Sequence, residues 1–366
     1  MWYTIENAGV IDTPALAIWP ERVKENISIL KSFVKDVARL RPHVKTNKSP
    51  EACALMLEAG ITKFKCATIA EAELLGEAGA PDVLLSYQPT GPKAVRLAQL
   101  VKHYPETRYS CLVDDEATAG HIAAAMTAAG CVLDVWIDLN IGMNRTGISP
   151  SAGARLFEQC LSLNGIRPVG LHAYDGHLRD EDLSVRTRKC DEGFMAVTTL
   201  AETINATLGI RPLIVAGGSP TFPIHAKREG VECSPGTFIY WDTGYASILR
   251  EQPFVFAAMV LTRVISKPAP GVICLDLGHK SIASENPLDR RVSFPEAPDL
   301  TPVGQSEEHL VMRTDTPDKY QVGQLLYGLP YHVCPTVALY DKAWAVRGGI
   351  ATNDWNNTAR RRSITI

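Results

Sequence analysis

Three stretches of the chain carry residue types whose spacing could do chemistry. The first is Arg41-Pro42-His43-Val44-Lys45-Thr46-Asn47-Lys48. Alternate side chains share a face in an extended strand, so His43 and Lys45 point one way and Val44 the other. A lysine entering a barrel mouth from a strand end is costly to bury and easily deprotonated, which suits a Schiff-base nucleophile. An ion-paired lysine is the plainer alternative. Lys48 lies beyond the strand, beside a helix cap, and reads as a solvated loop charge. The second stretch is a pair of turns, Gly217-Gly218-Ser219-Pro220-Thr221 and Cys233-Ser234-Pro235-Gly236-Thr237. Their glycines let the backbone approach a ligand closely, and their hydroxyls add donors for a phosphate. The third is His332-Val333-Cys334. On a strand, residues two apart point to one side and could ligate a borderline-soft cation such as zinc, leaving positions open for water or substrate. A half-buried histidine beside a core thiol fits the same residues. Leu171-His172-Ala173-Tyr174-Asp175-Gly176-His177 is unusually polar for the end of a barrel strand, and also reads as the start of a polar loop. Asp276-Leu277-Gly278-His279-Lys280 and Glu307-Glu308-His309 are weaker candidates that also read as polar turns.

The elements that must position these residues follow from hydrophobic patterning. Eight β-rich runs alternate with helical stretches: Thr13 to Trp19, Arg39 to Thr46, Lys63 to Thr68, Asp82 to Gln88, Tyr109 to Asp114, Asp134 to Leu139, Pro168 to Tyr174 and Leu213 to Gly218. Helix signals lie between them: Ser49-Pro50-Glu51 as an N-terminal cap, and Gly60, Gly79 and Gly130 as C-terminal stops. Strand–helix alternation without a Gly-x-Gly-x-x-Gly after the first strand favours a (β/α)8 barrel over a dinucleotide-binding sheet. After about residue 245 the texture changes to β-rich runs broken by Pro and Gly: Phe254 to Lys267, Gly271 to Leu277, His309 to Arg313, Gln324 to Leu329 and Ala343 to Arg347. The expected organisation is a TIM-type barrel over residues 13–245 and a mainly β domain over 246–366, joined by residues 1–12. Residues 287–302 read as an exposed loop.

Composition narrows the function classes. The 366 residues include 46% apolar and 21% charged side chains, ordinary for a globular protein, and exceed what one core usually organises. Lys and Arg number 37 against 40 Asp and Glu, so no basic field invites a nucleic-acid or anionic-membrane partner. Arg360-Arg361-Arg362 reads as a solvated tail. No run approaches the roughly 18 apolar residues of a membrane span, and the first residues lack the pattern of a signal peptide. Nine singly spaced cysteines without a C-x-x-C pair suit reduced thiols in a cytoplasmic enzyme. No G-x-S-x-G elbow, Walker loop or H-E-x-x-H helix is present.

Taken in order, these segments resemble the D-threonine aldolase and D-serine dehydratase family, fold-type III pyridoxal-phosphate enzymes with an alanine racemase-like barrel. Arg41-Pro42-His43-Val44-Lys45-Thr46 looks like that family's cofactor-lysine motif. The similarity runs through Thr13-Pro14-Ala15-Leu16, Gly142-Met143-Asn144-Arg145-Thr146-Gly147, Ala173-Tyr174, Gly217-Gly218, Pro235-Gly236-Thr237, Asp276-x-Gly278-x-Lys280, Glu308-His309 and His332-x-Cys334. The resemblance implies pyridoxal 5'-phosphate on Lys45 as an internal aldimine, with Tyr174 facing its ring and Arg145 near its far edge. It implies phosphate contacts from Gly218, Ser219, Gly236 and Thr237, and a divalent metal on His332 and Cys334. It also implies a homodimer acting on small D-amino acids.

Two lyase reactions are implied: retro-aldol cleavage of a D-3-hydroxy amino acid to glycine and an aldehyde, or dehydration of D-serine or D-3-hydroxyaspartate to a keto acid and ammonia. Aldolases of the family usually have Asp where Cys334 stands, whereas the dehydratases usually have Cys, which favours zinc over manganese or magnesium. Pro335-Thr336 and Leu339-x-Asp341 look more like the aldolases, and the aldolase is the reading adopted. Asn47 stands where the lysine motif commonly has histidine. An amino-acid racemase, using the same cofactor without metal, is the further alternative.

Overall fold

The computed structural model describes residues 1–366. It separates into two compact units: Leu30–Lys45, Cys53–Gly236 and Arg361–Ile366 form one, and Met1–Ile29, Thr46–Ala52 and Thr237–Arg360 the other. Ala15–Ile18 (β1), expected to open the barrel, belongs to the second unit. It pairs antiparallel with residues 258–261 and parallel with residues 344–345. All four of its residues are buried, and a short, wholly apolar strand fits the interior of either kind of sheet.

The first unit is the (β/α) barrel. Its strands are β2 (Lys63–Cys66), β3 (Asp82–Leu85), β4 (Arg108–Val113), β5 (Leu133–Leu139), β6 (Ile166–Ala173), β7 (Leu213–Ala216) and β8 (Val231–Cys233), paired in parallel and in order. Residues 40–45 supply the remaining staff, first in chain order, and close the ring by isolated bridges. Leu40 pairs with Cys233 and His43 with Lys65, while Val44 N–H donates to Lys65 O at 2.9 Å and Lys65 N–H to Pro42 O at 2.8 Å. Leu213–Ala216 is therefore the seventh staff. The last strand, Val231–Cys233, has three residues, too few to leave a periodic signal. Helices start and stop where their caps predict. Thr68 caps Ile69–Glu77, Asp115 caps Glu116–Ala129, and Gly130 ends the latter at φ 71°.

Alternation along the strands fills the barrel interior in layers. At the amino end, the buried Arg41 guanidinium meets Asp82 at 2.5 Å and Glu232 at 2.7 Å, and Lys63 also pairs with Glu232. Above them Leu84, Leu112, Trp136 and Val215 form an apolar cluster. At the carboxyl end the interior turns polar again, with Lys65, Asp138 and His172 all buried.

The second unit is built on one nine-stranded sheet. β9 (Ala258–Ala269) pairs with β1, β10 (Val272–Leu275) and β14 (Leu325–Pro330), while β11 (Val292–Ser293) adds to β14. β12 (Thr301–Gln305) and β13 (Leu310–Arg313) extend one edge beyond β10. β15 (Lys342–Arg347) with β16 (Ile350–Asn356) forms the other edge beside β1. Its core joins Tyr3, Ile5, Ile11, Ala15, Ala17 and Trp19 to Met259, Leu261 and Val346, which ties the amino-terminal segment to this sheet. Two expectations need correction. The 287–302 stretch buries Phe294, Ala297 and Leu300 and contains β11, so its apolar residues anchor it. Arg360 is not a free tail charge: it pairs with Asp341 at 2.6 Å and donates to Ala338 O. No helix is long and apolar enough to cross a membrane.

Candidate functional site

Lys45 closes the staff of residues 40–45 at the carboxyl end of the barrel, where this fold places its chemistry. Its backbone N–H donates to His43 Nδ1 at 3.2 Å, and its side chain is half-buried. Asn47 takes a structural part: it is buried, and its Oδ1 accepts from Ser49 N–H at the start of helix Pro50–Glu58. Lys48 is half-buried at φ 51° rather than a freely solvated charge, and its carbonyl accepts from Ala359 N–H.

Beyond β6, Tyr174 is half-buried, with the Arg145 guanidinium 5.0 Å from its ring centroid and Lys65 Nζ 5.5 Å away. The two residues expected around a cofactor ring thus meet. The glycine turn after β7 tolerates no side chain. Gly217 has φ +76°, and a Cβ there would lie 2.6 Å from His225 Cδ2; a Cβ on Gly218 would lie 2.8 Å from the Tyr174 ring. This turn is tied to the loop after β8 by Gly236 N–H donating to Ser219 Oγ at 3.3 Å. Ser234, one residue past β8 and on the same face as Glu232, is buried with its Oγ lacking a hydrogen-bond partner in the protein. Close backbone, paired loops and an orphaned hydroxyl fit a bound phosphate.

Behind the turn a buried network joins Asp175 and Thr221, both in stretches the sequence singles out, to Cys190, His225 and Arg228, which it does not. Asp175 accepts from Thr221 Oγ1 at 2.6 Å and faces His225 Nε2 at 2.8 Å, with Cys190 Sγ 3.4 Å from the same nitrogen. The donor atoms of Asp175, Cys190 and His225 lie within 4.8 Å of one another, as metal ligands do. Arg228 Nη1, however, sits 2.7 Å from His225 Nδ1, and a guanidinium can only donate. His225 Nε2 therefore carries the hydrogen and donates to Asp175. The cluster is a closed hydrogen-bond network that braces the glycine turn through Thr221. Hydrogen bonds from His225 and Thr221 hold the Asp175 carboxyl below its usual range against the opposing pull of burial.

In the second unit, His332 and Cys334 do not share a strand. His332 is the N-cap of the short helix Val333–Val337 and Cys334 lies in its first turn, because Asp242 Oδ2 captures Val333 N–H at 3.0 Å and starts the turn there. The two side chains still meet. Burial pulls the imidazole pKa down, but hydrogen bonding and charge from Cys334, with a further hydrogen bond from Glu285, lift it to about 9. Glu285 Oε1 holds His332 Nδ1 at 2.5 Å, the outer carboxylate contact that commonly orients a ligating imidazole. An imidazole and a thiol in contact, one oriented by carboxylate, fit a borderline-soft divalent cation. The weaker candidates separate from chemistry: Asp276 is used by Thr262 and Arg263 N–H, and exposed Lys280 pairs with Glu307 and Glu308.

The polar cap of the barrel interior joins His172, from the polar strand end that the sequence marks, to Lys65 and Asp138, which no motif marks. Lys65 Nζ lies 3.2 Å from His172 Nε2, and His172 Nδ1 lies 2.7 Å from Asp138 Oδ1. Burial, then the charge of Lys45, pull the Lys65 amine down to about 7. Burial and the Lys65 charge also lower His172; burial pushes the Asp138 carboxyl up, but the hydrogen bonds it accepts, that from His172 foremost, bring it below its usual range. The period-two run Asp134, Trp136, Asp138 and the pair Lys63, Lys65 carried the signal: polar residues on the inward face of barrel strands.

Comparison with known proteins agrees with this architecture. Residues 18–244 match the alanine racemase N-terminal domain family, and residues 257–346 match the serine dehydratase domain family. D-threonine aldolase from Arthrobacter sp. is 30% identical over 96% of this chain and 93% of its own length. D-threo-3-hydroxyaspartate dehydratase from Delftia sp. (strain HT23) is 25% identical over 93% of this chain and 96% of its own. The crystal structure of D-threonine aldolase from Filomicrobium marinum superposes with a TM-score of 0.88 at 27% identity, covering 96% of both chains. Barrel and site together define a fold-type III pyridoxal-phosphate enzyme. Within that class the chain belongs to the D-threonine aldolase and D-serine dehydratase family, whose members are lyases.

Proposed function

We propose that the protein is a pyridoxal-phosphate- and divalent-metal-dependent aldehyde-lyase that cleaves D-3-hydroxy amino acids, D-threonine among them, to glycine and an aldehyde. The observation that carries this reading is the near full-length match to D-threonine aldolase. Lys45 Nζ would hold the cofactor covalently. Gly218, Ser219, Gly236 and Thr237 would hold its phosphate, with Tyr174 against the ring and Arg145 at its far edge. The strain-free glycine turn, the Ser219–Gly236 tie and the orphaned Ser234 hydroxyl support the phosphate assignment. His332 and Cys334 would hold the cation, with zinc favoured by the sulfur ligand and manganese or magnesium as alternatives.

Bound there, the cofactor supplies an electron sink for charge developing at the substrate α-carbon, and the cation a Lewis acid for the 3-hydroxyl oxygen. The chain's own part is positioning and proton handling. Lys45 Nζ gains a proton when the substrate amine displaces it. The Asp175–His225–Arg228 network keeps Thr221 and the glycine turn fixed. Glu285 keeps the His332 ring oriented.

Cys334 favours a second reading, dehydration of D-serine or D-3-hydroxyaspartate to a keto acid and ammonia, because a soft thiol replaces the carboxylate usual in the aldolases. Product analysis separates the two. Zinc- or manganese-loaded protein given D-threonine should yield glycine and acetaldehyde, and the chelated control should yield neither. Formation of 2-oxobutanoate and ammonia would establish the dehydratase, and no product beyond the control would favour a racemase. We also propose a homodimer, which the family resemblance implies, and a cytoplasmic location, which the nine singly spaced cysteines support; light scattering and cell fractionation test them.

A further inference from the structure

Two lysines stand on one face of β2, and the barrel treats them differently. Lys63 is ion-paired with Glu232. Lys65, two residues on and 2% exposed, is placed against an imidazole nitrogen instead. The Asp138 carboxylate can only accept, so His172 Nδ1 carries the ring hydrogen, and the neutral ring presents the lone pair of Nε2 to Lys65. Thr146 also hydrogen-bonds to Asp138, and Asp138 lines a cavity of about 160 Å³ with Tyr87, Gln88, Leu112, Asp114 and Thr146. The register brings in Lys45. Lys65 is the bridge partner of His43 on the adjoining staff, and Lys45 lies two residues past His43 on the same face. Both amines therefore project into one interior from neighbouring staves.

We propose that Lys65 is a second working amine of the barrel, held by His172 and Asp138, which takes the proton Lys45 must shed before its nitrogen can bond to a carbonyl carbon and returns that proton when Lys45 is displaced. The inference rests on the reading that Lys45 holds the cofactor. The exchange balances without any co-reactant: an N–H bond of protonated Lys45 breaks, one forms on neutral Lys65, and the reverse occurs on displacement. The charged groups acting on Lys65 are Lys45 and Arg41 on the adjoining staff, Asp138 on β5, and Asp175 after β6; His172 and Tyr174 complete its surroundings. Burial and the two cations lower its proton affinity while the two carboxylates raise it, leaving it poised near 7, where an amine both gives and accepts a proton.

The test uses the cofactor-loaded enzyme without substrate. Hydroxylamine captures the cofactor from Lys45, and loss of visible absorbance gives the rate at each pH, corrected by the reaction with free pyridoxal phosphate. The wild-type rate should fall as pH rises through about 7, because protonated Lys65 is then no longer present to protonate the departing Lys45 amine. Lys65→Met should keep the visible absorbance, lose that midpoint and react about tenfold more slowly below it. Lys65→Arg, charged throughout but unable to release its proton, should also show no midpoint. Asp138→Asn, which retains the Lys65 amine, should move the midpoint and covers the case in which Lys65→Met does not fold. A wild-type midpoint and rate in Lys65→Met would overturn the proposal, as would an unmoved midpoint in Asp138→Asn. Wild-type protein without cofactor absorbance would instead overturn the assignment of Lys45.

Discussion

Thr46 Oγ1 lies 3.1 Å from Cys334 Sγ, and Thr46 is the residue that follows Lys45 in the chain. Thr237, which follows Gly236, brings a second hydroxyl to 3.7 Å from the same sulfur. Hydroxyls that donate to sulfur stabilise negative charge on it, the form in which a thiol ligates metal. Cys334→Ala should therefore lose bound zinc and lyase activity together while the cofactor's visible absorbance persists. Metal analysis beside the absorption spectrum checks this, and full activity in the variant would remove the metal assignment. Cys334→Asp should regain activity preferentially with manganese or magnesium, because a carboxylate is a harder ligand.

The two lysines of the strand-end motif should behave oppositely. Lys45→Ala should abolish the visible absorbance of the covalently held cofactor, whereas Lys48→Ala should keep it. Retention in the first variant would move the assignment to another amine.

Gly217 offers a test of the phosphate turn that does not touch a charge. Gly217→Ala places a Cβ against His225 in a left-handed conformation, costing roughly 1–2 kcal/mol in backbone energy alone. Relief requires the turn to shift, so cofactor affinity should fall about tenfold or more, read by titrating stripped protein with pyridoxal phosphate. Gly209→Ala, also at positive φ but with open space around it, should lower stability without that loss of affinity.

The same burial that readies Lys65 should make it a liability for stability. Its folded pKa, about 7, lies below the unfolded value near 10.5, so between those limits the unfolded chain binds more protons. The penalty is complete below about pH 7 and fades as pH rises toward 10.5. Lys65→Met should accordingly stabilise the protein by up to a few kcal/mol at pH 6.5, and by less at pH 9. Denaturant unfolding at the two pH values measures it. A gain that grows with pH would show that the amine is not held uncharged.

Periodicity located most of the staves because strands of four to eight residues repeat their pattern often enough to be seen. It could not assign Ala15–Ile18 to the correct sheet, since four buried residues carry no alternation. Nor could it find Val231–Cys233, which is too short. The His332–Cys334 pair was visible, but its strand was not real, because a tertiary contact from Asp242 turns that segment into a helix. His172 lies in the polar strand end that the sequence marks, but Lys65 and Asp138 belong to no motif. Their significance lies in the inward face of three strands, and it emerges only when register places them together.

The pairing of β1 with β9 and β15 has a consequence for how the chain is made. Residues 30–236 hold nearly all of the barrel and leave the ribosome before residues 237–366, so that unit has its strands in hand while the later strands of the other unit are still being translated. Ala17 must wait for Met259 and Trp344 before its strand has neighbours on both sides. Until then the first 29 residues present an apolar, edge-exposed segment of the kind that chaperones bind and that associates wrongly when crowded. The order of synthesis and the order of assembly therefore run in opposite directions at the amino terminus. A nascent chain halted after the barrel should be folded through its middle and vulnerable at its start.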